Sequence, residues 1–331
     1  MLDDRKTAIL SAVVQEYIST AQPVGSGSIA GRAEINVSSA TVRNELAVLE
    51  QEGYLVQPHT SAGRIPTDRG YRYFVDHLTS PGQLDQMTQR HVGEFFSAAH
   101  GRLEELLHQT TDLLAELNHS AAVVVGPKAH AVAVRRVQLV GLSSALATAV
   151  VVFANGSVEN VQVELADGDD DERLALVSQH LSEQLDGTAL GAVSELSASG
   201  DQAVDRLAAD ALARIREASD IEPVFTGGVS ELANAFDAVD TVRSVLHTLE
   251  QQFVVVSLVS DIVNRGMSVA IGVEHGVEPL SLCSVVVAPV VVEGEHLGSI
   301  GVLGPTRMNY PQALATVDVV SEQLATRIEE G

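Results

Sequence analysis

The sequence is poor in cysteine and in aromatic residues. Its 331 residues include one cysteine and no tryptophan, and aromatic residues make up 4% of the chain. A lone cysteine, Cys283, excludes an internal disulfide framework, and no signal-peptide pattern is visible, so we expect a protein of the reducing cytoplasm. Since 45% of the residues are hydrophobic, we expect folded cores built from Val, Leu, Ile and Ala rather than disorder.

Long hydrophobic runs are also missing. The most apolar segments, residues 121–126 and 145–154, are far shorter than the roughly 20 residues that a membrane-spanning helix requires. We therefore expect no membrane partner. The length of the chain predicts two or three folding units, each with its own core.

Basic residues are scarce, with 20 Lys and Arg against 44 Asp and Glu, and the formal net charge is −24. Such a charge argues against a nucleic-acid partner, because duplex phosphates repel an anionic surface. The charge is unevenly distributed, however. Through Leu78 the chain has seven basic and nine acidic residues, a balance of −2, which leaves −22 for the remainder. The N-terminal segment is thus nearly neutral.

The N-terminal segment has the pattern of three short helices. Apolar residues recur at helical spacing over residues 3–20, and the sequence from Pro23 to Gly27 breaks that helix. A second helix is predicted at residues 28–33. Ser38 is a good N-cap for a third helix that runs to Glu52 and stops at Gly53. Three helices in about 50 residues predict a helix-turn-helix.

A hairpin pattern follows directly. Residues 54–57 are typical of a strand, residues 58–66 form a loop rich in Pro, Ser, Thr and Gly, and Ile65 can begin the return strand. A fourth helix is predicted from Thr67, and residues 80–82 indicate a linker. A helix-turn-helix followed by such a hairpin predicts a winged helix.

The third helix carries the strongest functional signal. With successive residues about 100° apart, one face gathers the apolar residues and the opposite face has no carboxylate. That outer face comprises Ala40, Arg43, Asn44, Ala47 and Gln51. Two alanines allow close approach to the major groove, and Arg and Asn are the side chains that read guanine and adenine edges bidentately.

Hydroxyl groups and free amides at the start of that helix suit phosphates, and the predicted wing adds hydrogen-bond donors that can reach the DNA backbone. The predicted DNA-binding residues are Ser38, Ser39, Thr41, Arg43, Asn44, Gln51, His59, Thr60 and Arg64. An ordinary capped amphipathic helix is the alternative for the helix taken alone, and a solvent loop is the alternative for the wing.

Beyond the linker the pattern alternates between helix and strand. Helices are predicted at residues 84–118, 171–218, 235–252 and 311–329, and strands at residues 132–140, 145–153, 157–165, 268–274, 283–292 and 298–303. The turn at Asn155-Gly156 is a strong hairpin signal. Strands on both sides of a helical middle predict one sheet domain interrupted by an insertion.

Two distant segments carry a family resemblance. The sequence from Ser39 to Leu46, continued from Glu52 to Tyr73, is similar to the N-terminal domain of the HrcA heat-inducible transcription repressors, and residues 225–228 and 301–311 resemble that family's central and closing motifs. The resemblance implies an α+β multidomain protein. Its parts would be a winged helix-turn-helix (residues 1–80), a GAF-like α/β domain in two parts (81–170 and 235–331), and an inserted helical or mixed dimerisation domain (171–234).

The resemblance also implies a function. The family represses chaperone operons by binding an inverted repeat of double-stranded DNA, loses binding on heating, and is kept active by the chaperonin. A homodimer is expected from the DNA as well, because one winged helix covers only a half-site.

Two other functions are the alternatives. A small-molecule effector in the GAF-like domain would make the protein a ligand-sensing regulator. An enzyme would need a nucleophile–base pair or a metal site, and we expect no catalytic residue, cofactor or metal. The acidic run at residues 167–172 lacks the pattern of an EF-hand loop, which predicts a solvated, mobile loop, and Cys283 has no evident activating base.

Overall fold

The fold is a mixed α/β arrangement, which a computed structural model describes for residues 2–32, 35, 37–59, 62–78, 82–99, 102–129, 132–234, 236, 239–292 and 294–330. Within those residues lie twelve α-helices, and ten β-strands that form three sheets. The helices are α1 (Asp4–Thr20), α2 (Ser26–Ile29), α3 (Ser39–Gln51), α4 (Asp68–Asp76), α5 (Gln86–Ala98), α6 (Leu103–Asn118), α7 (Asp171–Leu185), α8 (Gln202–Ser219), α9 (Val229–Asn234), α10 (Val239–Glu250), α11 (Gln252–Asn264) and α12 (Tyr310–Glu330). The strands are β1 (Leu55–Val56), β2 (Ile65–Pro66), β3 (Ala121–Val125), β4 (Val134–Ser143), β5 (Leu146–Phe153), β6 (Val158–Glu164), β7 (Val224–Gly227), β8 (Val269–Ile271), β9 (Cys283–Val292) and β10 (Glu295–Pro305).

The N-terminal unit, defined here as residues 2–78, contains α1 to α4 and the β1–β2 hairpin. The side chains of Asp3, Ser38 and Thr67 cap α1, α3 and α4 by accepting a hydrogen bond from a backbone amide of the first turn. Gly53, with φ of +78°, lies just beyond α3 in the left-handed region that glycine favours. These three helices begin as predicted, whereas the second helix lies at Ser26–Ile29, earlier than expected.

The core of this unit joins α1 to α3. Apolar residues of both helices are almost completely buried: Ile9, Leu10, Val13, Val14, Val42, Leu46 and Leu49. The antiparallel β1–β2 hairpin pairs Leu55 with Pro66. A backbone bridge between Val24 and Arg64 adds a third short segment beside it, with both N···O distances at 2.9 Å.

A five-stranded antiparallel sheet has the order β7-β3-β10-β9-β8. Alternate residues of β3 enter different cores: Ala122 and Val124 pack with α6 and α12, while Val123 and Val125 pack with α10 and α11. Helices therefore cover both faces, which explains why β3 is apolar at every position. We did not predict β3 or β7 from the sequence.

A separate three-stranded sheet, β4-β5-β6, has its own core with α7 and α8. The β5–β6 turn lies at Asn155-Gly156, as predicted, with Gly156 at φ of +80°. The expectation that strands 132–165 belong to the same sheet as strands 268–303 was wrong. Residues 134–219, the inserted unit of this structure, share one core, and the division predicted at residue 171 passes through it.

The acidic run before α7 is held in place by ion pairs. The carboxylate of Asp169 is fully buried and contacts Arg173 at 3.0 Å and Arg206 at 2.8 Å. Burial alone raises the pKa of Asp169, but hydrogen bonds from Arg206, the Ala166 amide and Arg173 outweigh it, and the pKa lies below its usual value. The predicted solvated, mobile loop is thus wrong at this residue, because two arginines hold it in place.

Other helix predictions differ in detail. The segment 84–118 is two helices, since Ala99 leaves the helical region with extended backbone. The helix expected at 235–252 ends at Glu250, and α11 follows it without having been predicted. None of the helices in the described part of the chain has the length and apolar character that a membrane span requires.

Candidate nucleic-acid interface

The orientation of α3 is set by its apolar residues. Because Val42, Leu46 and Leu49 are buried against the rest of the N-terminal unit, the opposite side of the helix faces outward. Arg43 and Asn44 are exposed on that side. Ser38, Ser39, Ala40 and Gln51 are exposed as well, and Thr41 and Ala47 are half-buried.

Arg43 and Asn44 have no hydrogen bond or ion pair with any residue that the structure describes. Both side chains are therefore available to an external partner. Arg43 offers a planar fork of donors, and Asn44 offers one donor group and one acceptor. Paired on one exposed face, these groups match the edges that guanine and adenine present in the major groove.

The hydroxyl groups at the start of α3 are hydrogen-bonded locally. Ser38 Oγ accepts from the Thr41 amide at 3.2 Å and lies 2.9 Å from Thr41 Oγ1. Ser39 Oγ lies 3.0 Å from Ser26 Oγ on α2. These contacts fix the first turn, whose leading amides have no partner within the helix and suit an anion.

The carboxylate next to Arg43 and Asn44 in the sequence, that of Glu45, is paired with cations of α1. Glu45 lies beside Arg5, with Nε and Oε1 3.0 Å apart, and Lys6 Nζ is 3.9 Å from the other carboxylate oxygen. The Glu45 side chain is only 13% exposed. The charge of Glu45 is thereby compensated within the N-terminal unit.

The β1–β2 hairpin region, which the sequence predicts to be a wing, holds two described candidates in different environments. His59 is exposed, and Thr60 lies outside the described residues. Arg64 is 16% exposed, and its Nε and Nη2 atoms lie 3.0 and 2.9 Å from Glu50 Oε2. The Arg64 guanidinium therefore lies on the second half of α3 rather than projecting into solvent, which sequence reasoning did not foresee.

Close backbone packing fixes the β1–β2 hairpin at Gly63. A Cβ atom at this position would lie 2.4 Å from the Val24 carbonyl oxygen, so only glycine allows the bridge between residues 24 and 64. Arg69 supports the other end of α3: it donates to the Glu52 carbonyl at 2.8 Å, and its guanidinium lies 4.5 Å from the centre of the Tyr54 ring. Neither Gly63 nor Arg69 was predicted from the sequence to have a role, because both act through long-range contacts.

The seven cations of the N-terminal unit differ in their pairing. Six have an ion pair or hydrogen bond: Arg5, Lys6, Arg32, Arg64, Arg69 and Arg72. Arg43 is the exception among the described residues. The unit therefore presents one uncommitted guanidinium, and it stands on the outward face of α3.

Neither a metal-binding cluster nor an ionised cysteine is found in the described part of the chain. No group of three or more His, Cys, Asp or Glu side chains is close enough to hold a metal ion. Cys283 is completely buried, and burial raises the pKa of its thiol to about 12. Its thiol is consequently neutral at physiological pH.

Comparisons with known proteins agree with one another. The family model described as HrcA protein C terminal domain matches residues 104–314. Relatives named heat-inducible transcription repressor HrcA include one from Moorella thermoacetica, 35% identical with 99% of this chain and 98% of the relative covered, and one from Cutibacterium acnes, 38% identical with 100% of both covered. A crystal structure described as that of a hypothetical protein at 2.2 Å resolution has the same fold, with a TM-score of 0.70, 23% identity, and coverage of 100% of this chain and 99% of that one. The chain belongs to the HrcA family of heat-inducible transcription repressors.

Proposed function

We propose that the protein represses heat-shock operons by inserting α3 into the major groove of a double-stranded DNA operator. In this proposal the N-terminal unit is a winged helix, the five-stranded sheet with its helices is a GAF-like domain, and the inserted unit serves dimerisation. The observation that carries the proposal is the outward pair Arg43 and Asn44, free of partners among the described residues, on a helix whose Glu45 and Glu50 carboxylates are ion-paired.

The proposed contacts divide by chemistry. Arg43 and Asn44 read base edges, because their side chains can form paired hydrogen bonds with guanine and adenine. Phosphates are contacted by the first turn of α3, by the end of α3 and by the wing. The residues proposed for these backbone contacts are Ser38, Ser39, Thr41, Gln51, His59, Thr60 and Arg64.

We further propose that the protein binds as a homodimer on an inverted repeat, since one winged helix covers only a half-site. Support comes from the inserted unit, whose helices cover one face of its sheet. On β4 of that sheet Val140 and Leu142 are 43% and 58% exposed. They form an apolar surface of the kind that a second copy of the chain can bury. The family resemblance adds the proposal that the chaperonin keeps the repressor active. A repressor of operons acts in the cytoplasm, where the DNA is.

The charge distribution is compatible with this proposal. Outside the N-terminal unit the chain carries −22 of its −24 charges. At physiological salt the Debye length is about 8 Å, so distant acidic residues act weakly on DNA held by α3. The remote acidic charge disfavours unspecific contact by other surfaces.

The test uses the full-length protein in gel-shift titrations of duplex fragments from the regions upstream of chaperone genes. Wild type should retain a fragment that contains an inverted repeat and release it on heating. Arg43→Ala should weaken that binding by about 1–3 kcal/mol and relax the preference at one base pair. Arg90 is exposed on α5, and Arg90→Ala is the matched control that should bind as wild type does. Unchanged affinity and base preference of the Arg43 variant would refute the assignment of α3.

A second function is favoured by one cavity. A space of about 300 Å³ lies between the start of α6, the end of α12 and the β9–β10 hairpin, with Leu103, Leu106 and Leu297 in its wall. This volume and apolar wall would suit a small effector. A metabolite that raises the melting temperature of the full chain and changes its DNA affinity would favour the ligand-sensing alternative.

A further inference from the structure

Two segments that carry the family resemblance meet at one place in the fold. The segment after the wing forms α4, and the closing motif ends at the start of α12. Tyr71 of α4 packs against Tyr310, with ring centres 5.8 Å apart. Tyr310 is fixed in the unit formed by the five-stranded sheet and its helices, called the sheet domain here, because its hydroxyl donates to the Thr306 carbonyl at 2.6 Å and lies 2.8 Å from Ser284 Oγ.

Polar contacts complete this contact region, which we name the α4 joint and define as Asp68, Tyr71, Arg72, Gly272, Glu274 and Tyr310. Arg72 Nε donates to Glu274 Oε1 at 2.9 Å, and Arg72 Nη2 donates to the other carboxylate oxygen and to the Val269 carbonyl at 2.8 Å. The carboxylate is oriented in turn by the Ile271 amide at 2.9 Å. A two-point pair between oriented groups is more specific than a single surface contact.

Close packing around Asp68 reinforces the joint. Its carboxylate accepts a hydrogen bond from the Val273 amide, and burial raises the pKa of Asp68. Gly272 has φ of +56°, and a Cβ atom there would lie 2.1 Å from Asp68 Oδ2. The turn after β8 is therefore shaped to receive α4.

The same helix is attached to the recognition helix by its other side chains. Arg69 donates to the carbonyl of Glu52, the C-cap residue of α3. A Cβ atom at Gly70 would lie 2.2 Å from the Tyr54 carbonyl oxygen, so α4 packs closely on the residue before β1. Tyr73 Oη lies 2.9 Å from Thr7 Oγ1 on α1. Helix α4 thus contacts both the rest of the N-terminal unit and the sheet domain.

We infer that Arg72 is a positioning residue for operator binding: through Glu274 it fixes the angle between α3 and the sheet domain, and so sets the half-site spacing that the dimer accepts. This inference rests on the proposed binding of an inverted repeat by a dimer. The two recognition helices of such a dimer reach successive major grooves only if each is held in a defined orientation.

The test measures spacing preference with full-length protein. Wild type first selects inverted repeats from a randomised duplex library, and its affinity is then compared for the selected repeat, for repeats whose spacer differs by one to three base pairs, and for a single half-site. Arg72→Ala and Glu274→Gln should leave half-site affinity unchanged and reduce the discrimination between spacers by about twofold or more. The double variant should lose no more than the stronger single one, because both remove the same pair.

Controls separate this role from loss of folding and from loss of charge. Arg90→Ala removes an exposed cation outside the joint and should keep the wild-type spacing preference. Arg72→Lys keeps the charge without the two-point geometry. Its spacing preference should lie between that of wild type and a complete loss of discrimination, and it replaces the alanine variant in the test should that variant not fold. Folded Arg72 variants with wild-type spacing preference would overturn the inference while leaving DNA binding intact. A wild-type protein that selects no duplex would overturn the proposed function and this inference with it.

Discussion

Replacing Glu50 by Gln removes the carboxylate that holds the Arg64 guanidinium against α3. In the unbound protein Nε and Nη2 of Arg64 lie 2.9–3.0 Å from Oε2 of Glu50, and the Glu50 side chain is 32% exposed. A partly exposed pair of this kind contributes about 0.2–1 kcal/mol. If Arg64 must leave Glu50 to reach a phosphate, Glu50→Gln should therefore tighten binding by about 1.4-fold to 5-fold.

The salt dependence reports the phosphate contact itself. One contact with duplex DNA adds about 0.9 to the slope of log K against log salt. Between 50 and 200 mM salt this corresponds to about a 3.5-fold change in affinity. The slope for Arg64→Gln should be smaller in magnitude by about 0.9, whereas Glu50→Gln should keep the wild-type slope.

Fluorescence anisotropy with one labelled operator duplex at three salt concentrations measures both quantities. The set comprises wild type, Glu50→Gln, Arg64→Gln, the double variant, and Glu52→Gln as a control that removes an equal charge at an exposed position near the end of α3. The tightening caused by Glu50→Gln should exceed that of the control and disappear when Arg64 is absent. Equal tightening in both backgrounds, or an Arg64→Gln slope equal to that of wild type, would refute the role of Arg64.

Three further substitutions test the supporting structure. Gly63→Ala should weaken duplex binding because its Cβ meets the Val24 carbonyl, whereas Gly27→Ala, where nothing lies within 4 Å, should not; equal binding by both variants in the anisotropy assay would contradict this. Tyr71→Phe removes a buried hydroxyl with no hydrogen-bond partner among the described residues and should stabilise the chain by about 1–3 kcal/mol in urea unfolding; a lower stability would count against it. Asp169→Asn should destabilise the chain by about 1–3 kcal/mol at pH 7. Because the pKa of Asp169 in the folded chain is lowered, the difference in stability between wild type and variant should be complete above about pH 4 and shrink as the pH falls further. A difference in stability that does not depend on pH would argue against the ion pairs.

Local signals predicted helix α3 well. Ser38 as N-cap and Gly53 as terminator define α3 in the sequence and in the structure, because capping depends on residues within one turn. The exposure of Arg43 and Asn44 also followed from helical periodicity. Periodicity within one helix is enough to tell its inner face from its outer face.

Contacts between distant residues could not be predicted in this way. The pairing of Arg64 with Glu50 and of Arg72 with Glu274 depends on how the elements pack, which no local pattern specifies. Strand β3 was missed because a strand buried on both faces has no alternation to detect. The partition of the strands into two sheets was missed for a related reason, since sequence neighbours do not determine which sheet a strand joins.

The pairing of six of the seven N-terminal cations bears on how the protein searches a genome. A surface with one uncommitted guanidinium attracts arbitrary sequences weakly, although such sequences outnumber the correct sites by about a million-fold or more. Few repressor molecules per cell would then be bound to nonspecific DNA. Promoter occupancy would then depend directly on the number of repressor molecules able to bind DNA. A modest loss of such molecules at high temperature would therefore increase transcription without delay.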